Sequence, residues 1–354
     1  MSIVFAILLF SLLIFVHELG HFMAAKASKV QVNEFALFMG PAIFKKKVGE
    51  TTYSLRCIPI GGFCAMEGED ADTDNPRSFQ KAKWWKRFII LVAGAAMNFV
   101  IGALIMLAVF APAKQLVTPV ISSFEEFSTV NEAGGLQVGD KILELDGEKI
   151  YIQSDFSMIL SLNEGDVHDL VVERDGKKVY LNDFLMHKHE IIDEEGQTRW
   201  LYGMNFTLVE NPGFWEKAEY AWLNTVDTVR NVRLSLVMLL TGKAGLMDLG
   251  GPVMIVDTMS QVADATESVA DTILNLLYFG GFISVNLAVM NLLPIPALDG
   301  GRVVGLLLTT AIEGITKKKL DPKYEGYIHA AGMILLLALM AFVFFKDIFV
   351  IFTR

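Results

Sequence analysis

His17-Glu18-Leu19-Gly20-His21 sets two imidazoles four residues apart, with a carboxylate beside the first. On a helix that spacing brings both rings to one face, where they can hold a single Zn²⁺ with Glu18 as general base. The motif closes an uncharged apolar run that begins at Ile3. Ionisable side chains at membrane depth are costly and are seldom kept without a function. A catalytic zinc takes three protein ligands and leaves one position open, so a third donor must come from elsewhere. The best candidate is Asp299, in Asn291-Leu292-Leu293-Pro294-Ile295-Pro296-Ala297-Leu298-Asp299-Gly300-Gly301. Pro294 and Pro296 should break the helix that carries them and turn Asp299 toward the metal. Such a site hydrolyses peptide bonds: the metal acidifies water, and Glu18 takes the proton and passes it to the leaving amine. Asn286 and Asn291 lie upstream of Asp299, and Asn98 lies in a different apolar stretch. Buried amides there could hold the substrate backbone or an oxyanion, or bond one helix to another.

These residues need elements to carry them, and the composition says which kind. The chain has 354 residues, 53% of them hydrophobic, and a net charge of -10. That balance points to a polytopic membrane protein with a soluble part and argues against nucleic acid as a partner. Four stretches can span a bilayer: about Ile3 to Met23, Phe88 to Pro112, Ile273 to Leu298 and Ile328 to Phe345. The first lacks the positive n-region of a signal peptide, and cleavage after Ala25-Lys26-Ala27 would discard the histidines, so it reads as a retained helix. Lys83-Trp84-Trp85-Lys86-Arg87 anchors the second at an interface. Basic residues crowd the 24–87 connection and recur after span three at Arg302, Lys317, Lys318, Lys319 and Lys323, whereas 113–272 is rich in Asp and Glu. Basic connections stay in the cytoplasm, which puts both chain ends and the long segment outside. It also brings the histidines and Asp299 to similar depth.

Within 28–70, Gln31-Val32-Asn33-Glu34-Phe35 and Thr51-Thr52-Tyr53-Ser54-Leu55-Arg56 alternate like strands, and Ile58-Pro59-Ile60-Gly61-Gly62-Phe63 follows as an edge strand. This predicts a small sheet against the membrane, beside the metal. Residues 117–208 read as a small β-rich domain, with turns at Gly139-Asp140 and Asp146-Gly147 around an alternating strand. His187 and His189 near its end read as a solvated pair, and Cys57 and Cys64 as small apolar residues without a disulfide. An amphipathic helix with Trp215 and Trp222 should lie along the outer interface over 214–241, and Gly250-Gly251-Pro252 breaks the chain before span three.

Taken together, H-E-L-G-H in the first span, N-x-x-P-x-P-x-L-D-G-G at the end of the third and the PDZ-like stretch between spans two and three resemble the bacterial site-2 proteases. So do Gly94-Ala95-Ala96-Met97-Asn98-Phe99, without the usual Pro, and Gly250-Gly251-Pro252-Val253. The type approached is the regulator of sigma-E protease, an intramembrane zinc metalloprotease. The resemblance implies a polytopic α-helical membrane protein of four transmembrane helices, with a small membrane-associated β-sheet and one extracytoplasmic PDZ-like α/β domain. The expected parts are 1–112 with spans one and two and the sheet, 113–210 as the PDZ-like domain, 211–272 as an amphipathic, interfacial helical segment and 273–354 with spans three and four. It implies zinc ligands His17, His21 and Asp299, a catalytic Glu18 and a substrate role for Asn291. The edge at Ile60, Gly61, Gly62 and Phe63 would pair with a single-pass membrane protein substrate, such as an anti-sigma factor or a remnant signal peptide, in the bacterial plasma membrane. A PDZ-like domain would filter substrates already trimmed outside. The competing reading is a membrane-anchored PDZ-type scaffold that binds peptide ends without proteolysis, and intact His17, Glu18, His21 and Asp299 argue against it.

Overall fold

The computed structural model describes residues 2–69, 73–131, 134–163, 165–192, 198–245, 247, 250–264, 268–317 and 323–353. Four described helices are long and apolar enough to cross a membrane: Phe5–Ala27, Trp84–Phe110, Val269–Asn291 and Gly326–Val350. In hydrocarbon a helix pairs its backbone groups internally, which is why such runs form helices and nothing looser. The chain divides into two compact units, one of 1–106 with 228–354 and one of 107–227.

The first unit opens with α1 (Ser2–Ala27), which runs into a long hairpin of β1 (Val32–Val48) and β2 (Thr51–Met66). The register shows more than a simple hairpin. Phe44, Lys45, Lys46 and Lys47 face Leu55, Ser54, Tyr53 and Thr52. Glu34, Phe35, Ala36 and Leu37 face Thr52 to Leu55 on one side and Ala65, Cys64, Phe63 and Gly62 on the other. Positive φ at Phe38, Gly40 and Gly61 marks the bends that allow this. The 62–66 half of β2 therefore pairs on one side, and its other side is an open strand edge among the described residues. At the hairpin tip, Arg77 and then Lys26 hydrogen-bond Glu50 and hold its carboxyl down to about 2.

The helix α2 (Trp84–Phe110) crosses α1 closely, for a Cβ on Gly20 would run into Ala93 O and stand 3.0 Å from Gly94 Cα. Ala25, Val32, Phe35, Cys64, Ile90 and Leu91 fill the core between hairpin and helices.

The second unit holds β3 (Gln115–Phe124), β4 (Lys141–Leu145), β5 (Glu148–Lys149), α3 (Gln153–Leu162), β6 (Val167–Arg174), β7 (Lys177–Leu185), β8 (His189–Ile192), β9 (Thr198–Leu201) and β10 (Met204–Glu210). Its main sheet runs β10-β3-β4-β6-β7, with β5 on β4, while β8 and β9 form a separate hairpin. Ile142 and Leu145, brought to one face by an irregularity in β4, and the alternating Leu170 and Val172 bury that face of the sheet under Phe156, Ile159 and Leu160 of α3. The expected turns around β4 are present, with Gly139 at φ +92°, Asp146 at +51° and Gly147 at +79°. Burial would raise the Asp146 carboxyl, but hydrogen bonds from His168, the Asp169 amide and Asn163 outweigh it and hold it below the usual range. The groove between α3 and the β10 edge has a volume of about 640 Å³ and is lined by Phe127, Phe156, Leu160, Tyr202, Met204 and Phe206 among others. Residues Glu132 and Ala133 of the 131–147 stretch lie outside the described residues.

The chain continues through α4 (Phe214–Thr241), α5 (Pro252–Asp264), α6 (Val269–Asn291), α7 (Asp299–Thr316) and α8 (Lys323–Thr353). The break at Gly250-Gly251-Pro252 has a second purpose. It starts α5, which sequence periodicity did not separate from α4, and the Met254 N–H of this short helix donates to the buried Asp347 of α8 at 3.1 Å. A Cβ on Gly251 would stand 2.6 Å from that same carboxylate oxygen. Lys346 pairs with Asp347 at 2.9 Å. Of the basic cluster expected between spans three and four, Lys318 and Lys319 lie outside the described residues.

Candidate metal centre

His17 and His21 stand on successive turns of α1 with ring centroids 4.8 Å apart and Nε2 atoms 3.1 Å apart. Beneath them passes Gly94 of α2. A Cβ there would run into His21 Nε2 and lie 2.8 Å from His17 Cε1, so the rings fit over α2 because this position has no side chain. The ring of His21 is turned by its other nitrogen, whose N–H donates to Ile90 O at 2.8 Å.

Asp299 comes from the far end of the chain. Span three ends at Asn291 rather than Leu298, and residues 292–298 form a turn. The two prolines in that turn cannot supply helical N–H groups, which is the physical reason for the break. Asp299 then opens α7, and its Oδ2 lies 3.1 Å from His17 Nε2 and 3.2 Å from His21 Nε2. Among the described residues these form the one group of three His, Cys, Asp or Glu donors able to hold a metal ion.

The triangle fits zinc on two counts. Ligands about 2.0–2.1 Å from a tetrahedral ion stand about 3.3 Å apart, close to the separations seen here. Asp299 Oδ2 is also buried, and the polar atoms that meet it are the two imidazole nitrogens, which are candidate ligands themselves. A carboxylate oxygen in that state is costly unless a cation meets it.

Around the triangle, His17 Nδ1 is 3.4 Å from the side-chain amides of both Asn98 and Asn291. Asn286 is half-buried further up α6. The helix-to-helix bond expected of an amide is made by Asn98, from α2 to His17 of α1, and the buried Ser284 adds another, its hydroxyl donating to Asn98 O at 2.8 Å. Gly62 brings the open edge of β2 to the site: a Cβ there would stand 3.5 Å from Glu18 Cγ. Gly61 bends under Met39, Phe63 carries the Arg56 guanidinium 4.7 Å above its ring, and the side chain of Ile60 lies outside the described structure. On α7, Arg302 pairs with Glu69 just past β2, one turn from Asp299.

Away from this centre, the two domain histidines are not the solvated pair expected. His187 is exposed and pairs with Asp166 at 3.0 Å, but His189 lies edge-on to Phe127 with Nε2 buried. Cys57 is exposed and Cys64 buried, both free, and burial pushes the Cys64 thiol up.

Residues 5–339 match the model of peptidase family M50. A protein of Clostridium perfringens named as a zinc metalloprotease is 39% identical over 350 residues, 98% of each chain. Another from Clostridium acetobutylicum, likewise named, is 36% identical over 349 residues, covering 98% of this chain and 97% of its own. The regulator of sigma-W protease RasP of Bacillus subtilis is 28% identical over 432 aligned positions, 98% of each chain. The match runs through the histidine pair, the Asp299 turn and the helices that bring them together, and the chain belongs to peptidase family M50, the site-2 proteases, as a membrane zinc metalloprotease of that type.

Proposed function

We propose that this protease hydrolyses peptide bonds within or beside the transmembrane segment of single-pass membrane proteins. The observation that carries the reading is the part-buried donor triangle of His17, His21 and Asp299, its ligand atoms converging on one another, set among membrane-crossing helices. These three residues would hold the zinc, which when bound supplies Lewis acidity toward water and the scissile carbonyl. Glu18, adjacent to a ligand and against the edge of β2, takes the proton from the attacking water and delivers it to the leaving amine. Asn98 orients His17. With Nε2 on the metal its Nδ1 carries hydrogen, and Asn98 Oδ1, buried without a partner, accepts it once the amide is rotated. Asn291 stays available to the substrate backbone.

The open edge at Ile60, Gly61, Gly62 and Phe63 receives the unwound substrate by strand addition. Residues 113–210 act as a PDZ-like filter on the outer side. That assignment is supported by the groove between a helix and a sheet edge in the second unit. The basic connections support an orientation with the metal toward the cytoplasm and this domain outside, in the bacterial plasma membrane. Substrates of the anti-sigma-factor or remnant-signal-peptide kind suit this arrangement.

The test uses the purified chain with a single-pass substrate. Zinc should be near one per chain and should be lost in Asp299→Ala. Glu18→Gln should keep its zinc while cleavage falls roughly 10²- to 10⁴-fold, because the ligands remain and proton transfer does not. Cleavage by Glu18→Gln at the wild-type rate would overturn the mechanism.

A further inference from the structure

We propose that His329 of α8 is a positioning residue for the Asp299 carboxylate, acting through the turn at 295–298. The inference rests on the reading of Asp299 as a metal ligand. The turn is closed by the Leu298 N–H donating to Ile295 O at 3.1 Å, with Pro296 and Ala297 as its central residues. Ala297 has φ +81°. At that place a turn of this kind asks for glycine, since a Cβ is disfavoured in the left-handed region. A residue held there persists when its surroundings over-determine it. Pro294 and Pro296 have no N–H to offer, so the turn has few bonds of its own with which to hold the strained residue.

The missing hold comes from α8. The Ala297 N–H donates to His329 Nδ1 at 3.1 Å. One turn further along, Gly332 is the seat of Pro296: a Cβ there would run into Pro296 Cβ and stand 2.7 Å from its carbonyl carbon. His329 and Gly332 thus grip the two central residues of the turn from one face of α8. Two residues beyond Ala297 the chain presents Asp299, whose Oδ2 must stand about equally far from two imidazole nitrogens. A turn free to relax its positive φ would swing that carboxylate, so the ring of His329 sets the third corner of the triangle without being part of it. It acts as an acceptor with Nδ1 unprotonated, which a neutral ring satisfies by carrying its hydrogen on Nε2. Asparagine can place an amide oxygen where Nδ1 stands. Leucine cannot accept at all.

The experiment uses the full chain, stripped and titrated with Co²⁺ alone, reading affinity and the absorption spectrum of the bound ion. Wild type should give a tetrahedral signature and Asp299→Ala should abolish it. Absence of binding by the wild type would fail the underlying metal reading rather than the role of His329. Given that baseline, His329→Leu should weaken Co²⁺ affinity roughly 10- to 100-fold and alter the spectrum, as loss of an outer partner does. His329→Asn should restore both. So should Ala297→Gly in the His329→Leu background, because glycine holds a positive φ without help. This double variant separates loss of the hydrogen bond from a misfolded helix. Wild-type affinity and spectrum in His329→Leu would overturn the proposal. So would a defect that neither His329→Asn nor Ala297→Gly repairs.

Discussion

The two imidazoles of α1 lie so close over α2 that the residue beneath them has no room for a methyl group. Gly94 meets that condition, and it gives a prediction at a single atom. Alanine is the better helix former by about 1 kcal/mol, so Gly94→Ala should not weaken α2 on propensity grounds. Its Cβ would nevertheless contend with both rings. Zinc content of the purified variant should therefore drop well below one per chain, with the helix content unchanged by circular dichroism. Full zinc occupancy would mean that the rings do not stand where they are described. His17, Glu18, His21 and Asp299 were legible in sequence because each is a polar group in or beside a long apolar run, where polarity is costly and therefore informative. His329 was not. A single histidine just inside an apolar helix looks like a polar flank, and its meaning depends on a backbone N–H 32 residues away in a turn whose φ no sequence pattern displays. Ser284 was hidden for the same reason, since a hydroxyl inside a membrane helix ordinarily bonds within its own helix.

Among the elements, the long apolar helices and the hairpin were readable, but α7, and α5 as a helix separate from α4, were not. Both are amphipathic stretches that begin at a Pro or Gly-rich break, and they merge by eye with the connections around span three. The hairpin was readable only as alternation. That β1 lies between the two halves of β2 follows from bends at Phe38, Gly40 and Gly61, which leave the 62–66 half open on one side beside Glu18. This geometry carries a prediction about how a helix can be cut. Unwinding a helical substrate in lipid frees backbone groups, at several kcal/mol each unless they are paired again. Gly62→Pro removes a donor from the edge and adds a ring to it, and should slow cleavage while leaving zinc in place. Substrates with Gly or Asn near the scissile bond should be cut faster than a poly-leucine helix. Equal rates for the two, measured side by side, would remove the case for unwinding.

For the whole molecule, the basic clusters and the acidic 113–272 segment predict one orientation. In a Cys57→Ser background, engineered cysteines in 117–208 should react with an impermeant reagent from outside intact cells, and those in 28–70 should not. The reverse pattern would invert the topology. Molecular scale also shows what α8 contributes: it grips the Asp299 turn through His329 and Gly332, and near its other end Asp347 receives the first turn of α5. In order of synthesis α8 leaves the ribosome after every ligand has been made. If the turn depends on α8 as proposed, the three candidate ligands are in the bilayer before the third corner is set, and zinc binding waits for the insertion of one late helix. A chain ended at residue 317 should accordingly carry all three ligands yet hold little zinc, and supplying 323–354 as a separate segment should restore it. Stoichiometric zinc in the shortened chain would show that the centre matures before α8 arrives. On that proposal the protease would stay unable to cut its neighbours while it is still being threaded past them.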